Sequence, residues 1–340
     1  MQSVPTAART STLRADQPAS AREAAIAVAP DDSRARDQLV VWRFVDGKPG
    51  HDKQSLGLVN ALKRRVPTTC VDLPPLSTQQ SLAAMVSGKF EAGPEQPNPD
   101  FIVGSGHPTH MSLLAARRCI GGHSVVLMRP SLPISLFDLA VIPRHDGVTE
   151  RDRVLVTHGV VNNSRPATGP RHPQRGLILI GGPSRHYRWD TDRVVQQILT
   201  LSQRTPDIDW QLSTSRRSPA DVLPALHGAK LTNVNFHDGR KTATDWLDRE
   251  LAACRCAWIT PDSASMVYEA LSAGAACGVF ELLPRGNSRI SRSIDELVRN
   301  AEATRFTDWL AGRPVVPRQH VLDEAGRTAD WLLAKWRSDA

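Results

Sequence analysis

An aspartate and a histidine bracket the loop Asp46-Gly47-Lys48-Pro49-Gly50-His51. A neutral imidazole at such a place can take a proton from a hydroxyl, and the positive end of a following helix favours the neutral form. His51 is therefore the first candidate base, with Asp46 the candidate if the loop turns the other way. Lys48 and Gly50 share the loop, where glycine lets a backbone approach a ligand closely. No GK[ST] follows, so the loop is not a Walker A motif. The plainer alternative is that Asp46 and His51 cap and brace a tight turn.

Two further loops could meet phosphate and sugar. Gly181-Gly182-Pro183-Ser184-Arg185-His186 predicts two glycines and a serine ahead of a helix, with several backbone N–H groups free for a phosphate. Arg185 would add a charge-assisted contact; the alternative is a Gly-Pro turn with surface arginines. In Thr260-Pro261-Asp262-Ser263-Ala264-Ser265-Met266-Val267-Tyr268-Glu269-Ala270, Asp262 or Ser263 caps a helix. Glu269 shares a face with Ser265, and its carboxylate could accept two hydrogen bonds from a ribose diol. The alternative is a capped core helix with one exposed glutamate. Ser213-Thr214-Ser215-Arg216-Arg217 is a basic loop that places Arg216 among the donor-side candidates. Arg129 and His107 join Lys48 and Gly50 as acceptor-side candidates. Asp207-Ile208-Asp209 imitates a DxD metal site but precedes its strand, and His107-Pro108-Thr109-His110 lacks a third ligand. Neither a metal nor a cofactor is expected.

Such loops need a scaffold that presents them together. Apolar runs at 39–45, 70–73, 100–103, 124–128, 139–142 and 153–156 alternate with amphipathic stretches at 54–65, 77–86 and 109–119. After a linker-like stretch over 162–175, strands at 177–180, 210–213, 234–236, 256–260 and 277–280 alternate with helices at 190–203, 219–226, 244–253, 264–273 and 290–300. A last helix spans about 320–337. Strands spaced by helices mean βαβ units and parallel sheets. The chain is predicted to be α/β, with two Rossmann-like domains facing a cleft. The expected divisions are a disordered tail over 1–36, an N-terminal Rossmann-like domain over 37–165, a C-terminal Rossmann-like domain over 174–318, and a final segment, 319–340, crossing back to the first domain. Open parallel sheets bind ligands beyond the carboxyl ends of their strands, which is where the candidate loops fall.

The 340 residues suit two domains of ordinary size, and 40% apolar with 23% charged residues suits a globule. No apolar run approaches the roughly 20 residues of a membrane-spanning helix. The tail lacks the basic start and apolar stretch of a secretory signal. Five cysteines without a CxxC pair fit neither a disulfide scaffold nor a zinc ribbon. Cys254 and Cys256 read as buried thiols, and the chain is placed in a reducing compartment. The net charge of +7 favours an anionic partner. Aromatics at 5% and the absence of RNP-like or zinc-finger patterns argue against nucleic acid.

DGKPGH, IGGPSRHY, STSRR and TPDSASMVYEALSAG resemble the bacterial and plant family named for a mitochondrial-fission (elongated mitochondria) phenotype, over residues 38 to about 310. Bacterial members are linked to lipopolysaccharide glycosyl transfer, and the family looks like part of the GT-B superfamily. It is similar in layout to the peptidoglycan glycosyltransferase that adds N-acetylglucosamine to a lipid-linked acceptor. By that resemblance His51 would be the acceptor-side base. Gly181, Gly182 and Ser184 would face the donor diphosphate with Ser263 and Ser265, and Glu269 would hold the ribose. Family members often carry Asn-Pro-Tyr where this chain has Arg240-Lys241-Thr242-Ala243-Thr244-Asp245-Trp246.

The expectation is an inverting, metal-independent glycosyltransferase in cell-envelope (lipopolysaccharide) synthesis. A nucleotide-sugar donor and a saccharide or glycolipid acceptor would be its partners, and no nucleic acid. It would be cytoplasmic, with an anionic membrane surface at the inner face of the plasma membrane as a peripheral partner. A non-hydrolysing sugar-nucleotide epimerase on the same fold is the first alternative, although no convincing second carboxylate is visible for it. A non-catalytic adaptor that keeps the fold is the second.

Overall fold

The computed structural model describes residues 38–90, 96–166, 168–243 and 245–336. The expectation for the tail over 1–36 lies outside these residues, as does Thr244 at the expected start of a helix.

The first sheet is built from β1 (Leu39–Phe44), β2 (Thr68–Leu73), β3 (Phe101–Ser105), β4 (His123–Leu127), β5 (Leu139–Pro143) and β6 (Val154–Thr157). All pairs are parallel, in the order β2-β1-β3-β4-β5-β6. Central strands such as Phe101–Ser105 and Leu139–Pro143 are buried along their whole length, which is why they read as continuous apolar runs. Helices α1 (Pro49–Lys63), α2 (Thr78–Ser87) and α3 (His110–Ile120) connect the first four strands. Helix α1 starts earlier than the apolar pattern suggests, with proline in its first turn, Asp52 beside it and Lys63 in its last turn. Proline's fixed φ and the two charges all suit those positions.

The second sheet runs β10-β9-β7-β11-β12-β14, again all parallel. Its strands are β7 (His172–Ile180), β9 (Asp209–Thr214), β10 (Val234–His237), β11 (Cys254–Ile259), β12 (Ala276–Val279) and β14 (Thr304–Arg305). The helices are α4 (Thr191–Arg204), α5 (Val222–Gly228), α6 (Trp246–Ala253), α7 (Ala264–Ser272), α8 (Arg289–Arg299) and the short α9 (Phe306–Leu310). A two-residue antiparallel pair, β8 (Tyr187–Arg188) with β13 (Leu283–Pro284), stands apart. Helix α10 (Glu324–Trp336) returns to the first lobe. There Ala325, Ala329 and Leu332 join the core formed by Leu39, Leu58 and Leu62, and Trp336 stacks on His123 at 4.3 Å.

The stretch over 162–175 differs from a loose linker. Strand β7 already begins at His172, because Arg175 is held by a bidentate pair with Glu250 at 2.9 Å. Arg171 donates to the carbonyls of Leu251 at 2.7 Å and Cys254 at 2.6 Å. Asn162 is buried and donates to Ser272 Oγ at 3.0 Å. Its carbonyl lies 2.4 Å from where a Cβ on Gly57 would be, so only glycine in α1 lets the crossing pack so closely. All five cysteines are unbridged. Burial pushes the Cys254 and Cys277 thiols up to about 12, so neither is a nucleophile at neutral pH.

Candidate active site

In the first lobe the turn after β1 folds Asp46 beneath His51. The Asp46 side chain is almost wholly buried, and its Oδ2 lies 2.8 Å from His51 Nδ1. Its Oδ1 accepts the Lys48 N–H at 3.1 Å. A carboxylate that accepts from Nδ1–H leaves Nε2 without a proton and able to accept one. Asp46 and His51 are thus one unit rather than alternatives. The Asp46 carboxylate is enclosed by the loop and faces the imidazole rather than solvent. The ring leans on Gly106, whose φ is +88°, and a Cβ there would lie 2.2 Å from His51 Nδ1. The position therefore requires glycine twice over, for its backbone and for the ring.

In the second lobe the Gly181-Gly182 loop departs from its expected role. Gly181 N–H donates to Thr260 Oγ1 at 2.7 Å, and Gly182 N–H donates to Asp262 Oδ2 at 2.9 Å. Both amides are consumed within the protein. No helix follows directly: Ser184 Oγ accepts from the N–H groups of His186 and Tyr187 at 3.2 and 3.1 Å, and the chain enters β8. Helix α4 begins only at Thr191, capped by Asp190. The glycines instead give space. A Cβ on Gly181 would strike the Asp262 carboxylate at 2.2 Å, and one on Gly182 the Arg217 carbonyl at 2.0 Å. Asp262 is not the helix cap either. Ser263 occupies the cap position, without a side-chain hydrogen bond. The Asp262 carboxylate is buried and held by Arg217 Nη2 at 2.8 Å. Desolvation raises its pKa, and the Gly182 N–H and Arg217 oppose that rise.

Between these loops lies a cavity of about 780 Å³. Gly50 and Lys53 of α1 form its first-lobe side, while Arg216, Arg240, Trp246, Ser263 and Ser265 are on its second-lobe side. Its walls come from loops after β1, β9, β10 and β11, that is, from the carboxyl ends of both sheets. Lys53 reaches across to the second lobe, with Nζ 3.3 Å from Glu269 Oε2. Glu269 is buried rather than exposed, and desolvation raises its pKa against the opposing charge of Lys53.

Of the expected residues, Gly50, Arg216, Ser263 and Ser265 line this cavity, while Asp46, Lys48, His51, His107, Arg129, Gly181, Gly182, Ser184, Arg185, Asp262 and Glu269 are not among the residues lining it. Arg185 is exposed and lies beside His186, with Nε 3.2 Å from its Nε2. Lys48 is exposed at the N-cap of α1. His107 and His110 both point a ring Nδ1 at Ser131 Oγ, at 2.6 and 3.2 Å. Arg129 donates to the Asp146 carbonyl at 3.2 Å, and Asp146 is bound in turn by Arg289 at 2.7 Å. Arg129 is thus drawn into the junction between lobes, where His158 and Glu302 also meet at 2.8 Å. Sequence reasoning passed over Lys53 and Gly106, and met Arg240 and Trp246 only as part of the stretch that stands in place of Asn-Pro-Tyr. A lysine one turn after a candidate histidine and an arginine just after Gly239 were the available signals. Among the described residues no group of three His, Cys, Asp or Glu is arranged to hold a metal ion, and no helix is long and apolar enough to cross a membrane.

Two parallel α/β lobes with loops meeting at a cleft define the GT-B fold. A candidate UDP-N-acetylglucosamine 2-epimerase from Listeria monocytogenes superposes with a TM-score of 0.60 at 12% identity, over 89% of this chain and 96% of that one. Acinetobacter baumannii MurG does so with a TM-score of 0.50 at 12% identity, over 88% of this chain and 99% of that one. Residues 49–336 match the family described as Mitochondrial fission ELM1, and the chain belongs to that family. The uncharacterized protein RP120 of Rickettsia prowazekii (strain Madrid E) is 20% identical over 300 residues, covering 71% of this chain and 82% of that one.

Proposed function

We propose that this chain is a glycosyltransferase that moves a sugar from a nucleotide-sugar donor to a saccharide or glycolipid acceptor, with inversion and in cell-envelope (lipopolysaccharide) synthesis. The observation that carries the reading is the Asp46–His51 pair at 2.8 Å on the first lobe, in the turn whose Pro49 and Gly50 line a cavity with a cationic opposite wall. The acceptor hydroxyl gives its proton to His51 Nε2 as its oxygen attacks the anomeric carbon. The bond from that carbon to the donor phosphate breaks, and the nucleotide leaves as an anion. Asp46 stabilises the imidazolium that forms. Side-chain cations and the serine hydroxyls of Ser263 and Ser265 stabilise the departing charge, so the step is proposed without a metal. The UDP-N-acetylglucosamine in the name of the epimerase of the same fold makes UDP-sugars the first donors to try.

A panel of UDP-, GDP-, ADP-, dTDP- and CMP-sugars, screened by thermal shift, tests the donor half, because a bound donor raises the melting temperature by mass action. The expected result is stabilisation by one nucleotide class. A donor altered at one sugar carbon without any acceptor would mean an epimerase. Absence of binding across the panel would favour the adaptor role.

A further inference from the structure

With the Gly181 and Gly182 amides consumed inside the protein, a phosphorylated ligand must find its positive charge elsewhere. Arg216 and Arg240 both line the cavity, from consecutive loops after β9 and β10. The loop after β9 is braced on the end of β7, where Ser218 Oγ accepts the Ser215 N–H at 2.8 Å and donates to the Ile180 carbonyl at 2.9 Å. A Cβ on Gly239 would lie 1.9 Å from the Thr214 carbonyl oxygen, so the loop bearing Arg240 rests on the end of β9.

The two guanidinium groups differ from their neighbour in being uncommitted. Arg217 is bound to Asp262 at 2.8 Å and to the Gly182 and Pro183 carbonyls at 3.3 and 3.2 Å. Arg216 makes no ion pair among the described residues. Arg240 has Asp238 at 3.7 Å, with both side chains well solvated, and such a pair is weak. The buried carboxylates beside the cavity are already answered, Glu269 by Lys53 and Asp262 by Arg217.

Resting on the nucleotide-sugar reading, we infer that Arg216 and Arg240 form a side-chain clamp for a diphosphate. Two planar forks on separate loops each match one phosphoryl group. One phosphate can satisfy one fork and leaves the other in solvent. The cleft therefore selects nucleoside diphosphates and their sugar esters over nucleoside monophosphates.

Calorimetric titration of the full chain with UDP, UMP and inorganic pyrophosphate tests this. The wild type should prefer UDP to UMP by at least about tenfold. Arg216→Gln or Arg240→Gln should each weaken UDP binding roughly ten- to hundredfold, the range of a charge-assisted hydrogen bond, and one of the two, the fork that a single phosphate does not reach, should leave UMP binding within about threefold. Because charge supplies the affinity, the UDP preference should also shrink with added salt. Both side chains are exposed, so melting temperatures should match wild type, and Arg204→Gln on α4 controls for net charge. A UDP preference that survives in the double variant would overturn the clamp. If UDP fails to bind the wild type but pyrophosphate binds and is lost in the double variant, the clamp stands and the nucleotide reading falls. If neither binds, both fall.

Discussion

Gly106→Ala isolates the seat of the candidate base. The added Cβ would lie 2.2 Å from His51 Nδ1 and 2.3 Å from Cε1, more than 1 Å inside the ordinary contact of about 3.4–4 Å. The ring is the end of a side chain, so it moves rather than the sheet, and the 2.8 Å bond to Asp46 breaks. The backbone cost of alanine at this positive φ is roughly 1–3 kcal/mol, equivalent to a few degrees of melting temperature. Gly121→Ala supplies the matched control. Its φ is +99°, but a Cβ there meets nothing within 4 Å. Gly121→Ala should show the backbone cost alone, and Gly106→Ala should lose somewhat more, because the displaced ring also leaves the buried Asp46 carboxylate without its partner. Only Gly106→Ala should lose turnover, by about the 10²–10⁴-fold expected for a general base, and adding His51→Ala to it should change little more. The assay is single-turnover transfer with the best donor, beside calorimetric melting. Near-normal turnover in folded Gly106→Ala would refute the reasoning, as would equal losses in both variants.

Lys53→Met should destabilise the fold by roughly 1–3 kcal/mol near neutral pH, because it strands a buried carboxylate whose partner was itself partly solvated. The raised pKa of Glu269 sets the sign: its protonation relieves the penalty, so in denaturant melts the deficit should shrink as pH falls, and a deficit that grows would contradict the pairing. Burial, with His107 and His51 nearby, pushes the His110 imidazole down to about 4, while in the unfolded chain it takes up a proton near 6.5. The stability tied to its neutral form should therefore be complete above about pH 6.5 and fall by up to roughly 3 kcal/mol toward pH 4; urea melts of His110→Asn should lack that component.

The strands were legible because they are buried on both faces, as at Leu139–Pro143, and so appear as apolar runs between amphipathic ones. The loop at Asp46–His51 was legible because donor and acceptor lie five residues apart in one turn. What stayed hidden depends on contacts between distant residues. The partners of the Gly181 and Gly182 amides, Thr260 and Asp262, come from another loop across the sheet end. Glu269 reads as a ribose ligand or an exposed glutamate, and its burial against Lys53, from the other lobe, is not visible in the sequence. The early start of β7 likewise depends on Glu250 meeting Arg175. The pair β8–β13 joins segments too short to show any periodicity.

The general-base role of His51 is tested most directly by its single-turnover rate of sugar transfer, measured with saturating donor beside the donor dissociation constant. His51→Ala and His51→Gln should both lose about 10²–10⁴-fold in the chemical step while binding donor within about threefold of wild type, since the proposed donor contacts are assigned mainly to the second lobe. Asp46→Asn should fall between them and wild type, because it disturbs the tautomer but leaves the ring. Near-normal chemistry in both His51 variants would contradict the account.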